Sequence, residues 1–206
     1  MIKNIENINS YDIKTEINKS HEWFSRCSVS SSINGETCSK LLYNMVYNYT
    51  NNEDIIEKEC PCSFALSDMM GLCASNKITV PIIEIYQIFT EKNMRENGIA
   101  SDLIKTVVAQ NPNAIIFAVA GASKLEYPDE PAEDEFYTIL ENLKPFYEKT
   151  GFIDINRVIG GYERKCTYLY VGNDNIGVAK LALEMLKNKL DKRENTNMDI
   201  EVTLNR

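Results

Sequence analysis

Glu84 is the one acidic residue inside the run Val80–Phe89 (VPIIEIYQIF). The β-branched and aromatic residues of this run, without clean alternation, predict a strand buried on both faces. A carboxylate there must be paired, solvated or pushed up in pKa, and a carboxylate so tuned can serve as a proton acceptor. An ordinary strand-end surface glutamate is the competing reading. Beyond the strand, the polar stretch Glu91–Glu96 leads to Gly98, after which Ile99, Leu103, Ile104, Val107 and Val108 recur at helical spacing until Asn111-Pro112 closes the helix. A strand that feeds a helix through a short turn points free N–H groups into the gap, which makes an anion site. Lys92, Arg95 and Lys105 add a local positive patch to that turn.

Other chemistries find less support. His21 is the sole histidine, and nothing near it in sequence looks like a proton-transfer partner. The six cysteines (27, 38, 60, 62, 73 and 166) are spread out, and Cys60-Pro61-Cys62 has no second pair at metal-ligand spacing. Reduced thiols, no metal and no acyl-cysteine route are expected. The Walker and dinucleotide glycine patterns are both absent. A net charge of −8, from 30 acidic and 22 basic residues, disfavours nucleic acid as a partner and suits a cationic one. No run approaches a membrane span and the N-terminus lacks the apolar core of a signal peptide, so a cytoplasmic location is expected.

The spacing Arg95-x-x-Gly98-x-Ala100, followed by Pro145-Phe-Tyr-Glu-Lys-Thr-Gly-Phe152, resembles the GNAT family of acyl-CoA-dependent N-acetyltransferases. Its cofactor loop is Gln/Arg-x-x-Gly-x-Gly/Ala, and a later helix typically ends Phe-Tyr-x-Lys-x-Gly-Phe. The resemblance implies a three-layer α/β/α fold with a splayed, mixed central sheet. It also implies transfer of an acetyl group from acetyl-CoA to a primary amine by direct attack. The acceptor would be a small-molecule or peptide amine, with a slight preference for a cationic one, and a homodimer is a possible assembly. A non-catalytic CoA-binding module of the same fold is the alternative.

Residue by residue, the resemblance lays the cofactor diphosphate across Arg95, Glu96, Asn97, Gly98, Ile99, Ala100 and Ser101. The pantetheine arm would pair with the splayed strand, and an amide of Ile88, Phe89 or Thr90 would face the thioester carbonyl. Tyr147 matches the tyrosine proposed to protonate the departing thiolate, although Phe146-Tyr147 reads equally well as a packed aromatic pair. Family members often use a glutamate on the central strand as base, here Glu84, directly or through water, with Tyr86, Glu126 and Glu163 in reserve. Leu140 stands where the family often places an asparagine that contacts the cofactor arm, and Asn142 is its nearest substitute.

Around this site the sequence predicts a core of residues 1–172 as one domain and an added helix and polar tail over 173–206. Residues 1–20 suit a short edge strand or a loose arm, and Trp23 a core or lid position. Residues 28–35 read as a polar loop. Leu41, Leu42, Met45, Val46 and Tyr49 have helical spacing, which predicts a helix from Ser39 to Tyr49. Cys62–Leu72 reads as a strand turning near Ser67-Asp68, with a second strand at 71–74. Ala114–Ala120 is a short apolar strand expected parallel to the first. An acidic loop at 121–135 would border the acceptor. Phe136, Ile139, Leu140 and Leu143 mark another helix, which Pro145 could restart and Gly151 terminate. Phe152–Val158 and Cys166–Val171 form an antiparallel pair, and a final amphipathic helix spans 175–190, followed by a polar tail with little expectation of order.

Overall fold

The computed structural model describes residues 11–49, 56, 63–121, 133–156, 158–159, 165–172 and 176–204. Its frame is a seven-stranded sheet in the order β1-β2-β3-β4-β5-β7-β6. The strands are β1 (Asp12–Ser20), β2 (Phe24–Ile33), β3 (Glu36–Val46), β4 (Ile82–Thr90), β5 (Ile115–Ala120), β6 (Phe152–Asp154) and β7 (Cys166–Tyr170). The helices are α1 (Phe64–Ser75), α2 (Ile99–Gln110), α3 (Glu133–Lys149) and α4 (Ile176–Leu204). All neighbours are antiparallel except β4 and β5, which run parallel as the strand-helix-strand reading requires. The fold is therefore the expected mixed α/β sheet in three layers.

Side chains alternate across the sheet to build two cores. Ile82, Ile115 and Phe117 pack with Leu66, Met69 and Met70 of α1 and Ala182, Met185 and Leu186 of α4. Ile83, Ile85, Ile116 and Ala118 pack with Leu103, Ile104 and Val107 of α2 and Tyr147 of α3. Each of the Ile, Leu, Val, Met and Phe side chains so buried contributes roughly 1.5–3 kcal/mol relative to exposure. The final helix thus covers the sheet beside α1, where Lys189 Nζ lies 3.9 Å from Asp68 Oδ2. It runs to Leu204, well past the expected end at 190.

Three expectations are overturned in the N-terminal half. The polar loop at 28–35 is most of β2 and its hairpin, which turns at Asn34-Gly35 with φ of 53° and 82°. Paired positive φ values make this the primed turn that Asn-Gly favours. The expected helix from Ser39 to Tyr49 is instead β3, paired along its length with both β2 and β4. Buried on both faces, β3 carries apolar residues without strict alternation, and the helical spacing there is incidental. Conversely, the expected strands at 62–74 are α1. Ser63 Oγ accepts the Leu66 N–H as its N-cap, and Ala65, Leu66, Met69, Met70 and Cys73 form its buried stripe. No Val, Ile or Thr occurs from Cys62 to Ser75, which disfavours strand.

In the C-terminal half, α3 continues through Pro145 as one helix rather than restarting there. Gly151 adopts φ 94° and ends it as expected. Cys60-Pro61-Cys62, most of the acidic loop, Gly160-Gly161 and Glu163 lie outside the described residues.

Candidate active site

The parallel pairing of β4 with β5 covers only Ile82–Ile85 against Ile115–Ala118. Beyond it β5 turns its pairing to β7 alone, through Val119↔Thr167 and Ala120↔Cys166. β4 continues to Thr90, where among the described residues it pairs with β3 only. The sheet thus opens into a V, and the opening starts where the register slips. Ile85 faces Tyr43 and Gln87 faces Leu42, so Tyr86 is an extra residue, a β-bulge.

Which groups point into the V follows from the far end of the strand. Ser39 Oγ donates to the Phe89 carbonyl at 2.7 Å, and the Glu91 N–H donates to Cys38 O at 3.0 Å. Residues 89 and 91 therefore direct their backbone groups toward β3. By alternation Ile88 and Thr90 direct theirs toward the opening. The Thr90 carbonyl is held by Arg95, whose Nε donates to it at 3.1 Å, which folds the turn back onto the strand end.

The turn itself passes through a 3₁₀ segment, Lys92–Met94, and a left-handed Glu96 at φ 68°. Asn97 Nδ2 donates to the Met94 and Arg95 carbonyls, each at 3.2 Å, which braces the loop from within. Gly98 is the N-cap of α2 at φ 78°, and no side chain caps the helix. The first helical amides, at Ile99, Ala100 and Ser101, lack intrahelical acceptors by geometry and carry the positive end of the helix dipole. Free amides at a helix N-terminus suit an anionic group such as a phosphate. Lys92 and Arg95 are exposed beside these amides, while Lys105 is paired to Asp102 at 2.9 Å.

Two titratable candidates flank the start of the V on opposite faces of the sheet. Glu84 stands in the row Asn44–Glu84–Phe117–Leu169, facing α1. It is 1% exposed. Asn44 Nδ2 donates to its Oε2 at 3.0 Å, and both the hydroxyl and the backbone N–H of Ser63 donate to the same carboxyl. Burial nonetheless pushes its pKa above the usual carboxyl range, against the lowering effect of those donors. Tyr147 lies over the adjacent row Tyr43–Ile85–Ala118–Tyr168, facing α2. Its ring stacks on Tyr168 at 4.6 Å and meets Phe146 and Phe152 edge-on at 5.2 and 5.6 Å. Burial alone pushes its phenol well above the ordinary value.

The remaining candidates scatter. Tyr86 is 40% exposed at the bulge. Asn142 lies on the exposed side of α3, while Leu140 is buried. His21 sits by the β1–β2 turn, stacked on Phe24 at 5.5 Å, at the end of the sheet far from the V. Sequence reasoning missed Asn44 and Ser63, because one lay in an expected helix and the other in an expected strand. No group of three or more metal-ligating side chains occurs among the described residues. No described helix is long and apolar enough to cross a membrane.

No protein-family model matches the chain, and no curated protein matches it. Solved structures with a weak likeness to it are found. An acetoin utilization protein from Exiguobacterium sibiricum is 9% identical over 86% of this chain and 73% of its own, with a TM-score of 0.45. An N-acetyltransferase from Staphylococcus aureus is 16% identical over 69% and 68%, at 0.39. Arabidopsis thaliana Naa50, solved with a bisubstrate analogue, is 12% identical over 69% and 70%, at 0.37. Scores this low decide nothing alone, and the fold assignment rests on the sheet order, the single parallel pair and the V between β4 and β5. Those features are the mixed sheet, opened between two parallel strands, that the GNAT resemblance implies.

Proposed function

We propose that this protein is an N-acetyltransferase that moves the acetyl group of acetyl-CoA to a primary amine by direct attack. The observation that supports this reading most is that beyond Ile85, among the described residues, β4 has a strand neighbour on one side only, and that it leads to the N-terminus of α2. In this reading acetyl-CoA supplies an activated thioester carbonyl, and the chain supplies the rest. The amides from Arg95 to Ser101 hold the diphosphate. The Ile88 N–H faces the opening and polarises the carbonyl, a contact typically worth about 3 kcal/mol. Tyr147 is the candidate proton donor to the thiolate, and Glu84, through water, the candidate acceptor of the amine proton. The acidic balance of the chain favours a cationic amine.

A CoA-binding module without turnover is the second reading. It is favoured by Glu84 being sealed under Asn44 and Ser63 and by Tyr147 lying on the opposite face. Thermal-shift titration with CoA, ATP and NAD tests the shared part: CoA alone raises the melting temperature. Absence of a CoA shift sinks both readings. Acetyl transfer to any of a panel of polyamines, aminoglycosides, amino acids or peptide N-termini then selects the enzyme, and a CoA shift without transfer selects the module.

A further inference from the structure

The outer edge of the sheet carries a pattern independent of the site above. β1 ends the sheet, and among the described residues no strand pairs with its outer side. Such an edge offers a row of backbone donors and acceptors to any strand that meets it. Its regular part is Asp12–Ile17, before the register shift between Ile17 and Lys19. Two of its side chains, Ile13 and Ile17, are exposed apolar groups at 39% and 67%. They project to the same face as Thr15, whose Oγ1 exchanges hydrogen bonds with Gln110 of α2 at 3.1 and 3.3 Å. Lys14 and Glu16 project to the other face, 2.6 Å apart, Lys14 exposed and Glu16 half-buried.

This sequence is complementary to itself when run antiparallel about Thr15. Directly opposed residues of an antiparallel pair share a face, so a second copy related by a two-fold axis through Thr15 sets Ile13 against the partner's Ile17. The same register sets Lys14 against the partner's Glu16, and the symmetry repeats both pairs. Shifting the centre by one residue, to Glu16, opposes Lys14 with Asn18 and Ile13 with Lys19, and the match is lost. We infer that β1 is a homodimer edge: two copies pair antiparallel about Thr15, joining their sheets into one, with Ile13/Ile17 and Lys14/Glu16 contacts across the seam. The seam is short, so the dimer is concentration-dependent. It leaves the V at β4 untouched, three strands away.

Charge exchange on the full-length chain tests the register. Lys14→Glu opposes two acidic pairs across the seam, and Glu16→Lys opposes two basic ones. Each variant alone weakens dimerisation roughly tenfold or more in analytical ultracentrifugation. An equimolar mixture of the two restores dimers, because each chain then meets the opposite charge, while the pair within each chain stays broken. Circular dichroism and melting curves confirm that both variants fold. A wild type that stays monomeric at every concentration overturns the inference. So do single variants that dimerise like the wild type, or a mixture that fails to recover dimers.

Discussion

Glu84 and Tyr147 sit one row apart on opposite faces of the same strands, and both are pushed up in pKa by burial. Their surroundings could hardly differ more. Glu84 is gripped by three donors from β3 and the α1 N-terminus. Tyr147 has rings on several sides, and burial is the only cause acting on its phenol. A group fixed by polar partners holds the fold together and is costly to remove. One held by packing alone can lose its polar atom with little structural consequence. Mutation should therefore separate stability from chemistry along the line between the two faces.

The largest effect is expected at Glu84. Glu84→Ala leaves Asn44 Nδ2 and the Ser63 donors without their buried acceptor and lowers stability by roughly 3 kcal/mol in urea unfolding. A loss below about 1 kcal/mol would show that the carboxyl does not anchor α1 to β4. Next is Tyr147→Phe, which keeps the ring stack. Its melting temperature stays at or slightly above wild type, while kcat falls roughly 10²-fold if the phenol is the proton donor. An unchanged kcat would remove Tyr147 from the chemistry and leave it a packing residue.

Two smaller effects sharpen the contrast. Gly98→Ala meets no atom within 4 Å among the described residues, so its cost is the left-handed backbone alone, about 1 kcal/mol. It weakens CoA in thermal shift more than that stability loss explains, if the turn holds the diphosphate. The smallest effect is a slope. Glu84 binds its proton more tightly folded than unfolded, so native stability falls as pH rises from its ordinary value of 4.5 to the raised folded one. Glu84→Gln cannot ionise, and its amide can donate to Asn44 Oδ1, which is buried without a partner among the described residues, once the Asn44 amide is flipped. The variant therefore shows a flatter stability profile over that window. An identical slope in both proteins would assign the pH dependence elsewhere.

The two halves of the chain were not equally legible. From Val80 to Asn111 the strand, turn and helix follow from an apolar run, a glycine and a 3.6-residue stripe, all local signals. The parallel β5 followed from its uniform apolarity. Before residue 80 the same kind of reading failed, and the causes are particular. Ser28, Ser30, Ser31 and Ser32 made β2 look like a loop, although Ser28 and Ser31 are buried. β3 is covered on both faces, which erases its period. In α1, apolar residues stand in adjacent pairs, Ala65-Leu66 and Met69-Met70, which imitate a short buried strand. The Asn34-Gly35 turn was the available correction. For the site, the turn and the strand glutamate were readable, but Asn44 and Ser63 were not, since their role exists only once β3 and α1 meet β4.

One feature of β4 reaches beyond the site. Its first half is laced to neighbours on both sides and its second half on only one. Amide hydrogen exchange should therefore split a single strand in two, slow from Ile82 to Ile85 and fast at Ile88. If a guest pairs with the far end, occupancy of the V is legible as slowed exchange at one backbone nitrogen, that of Ile88.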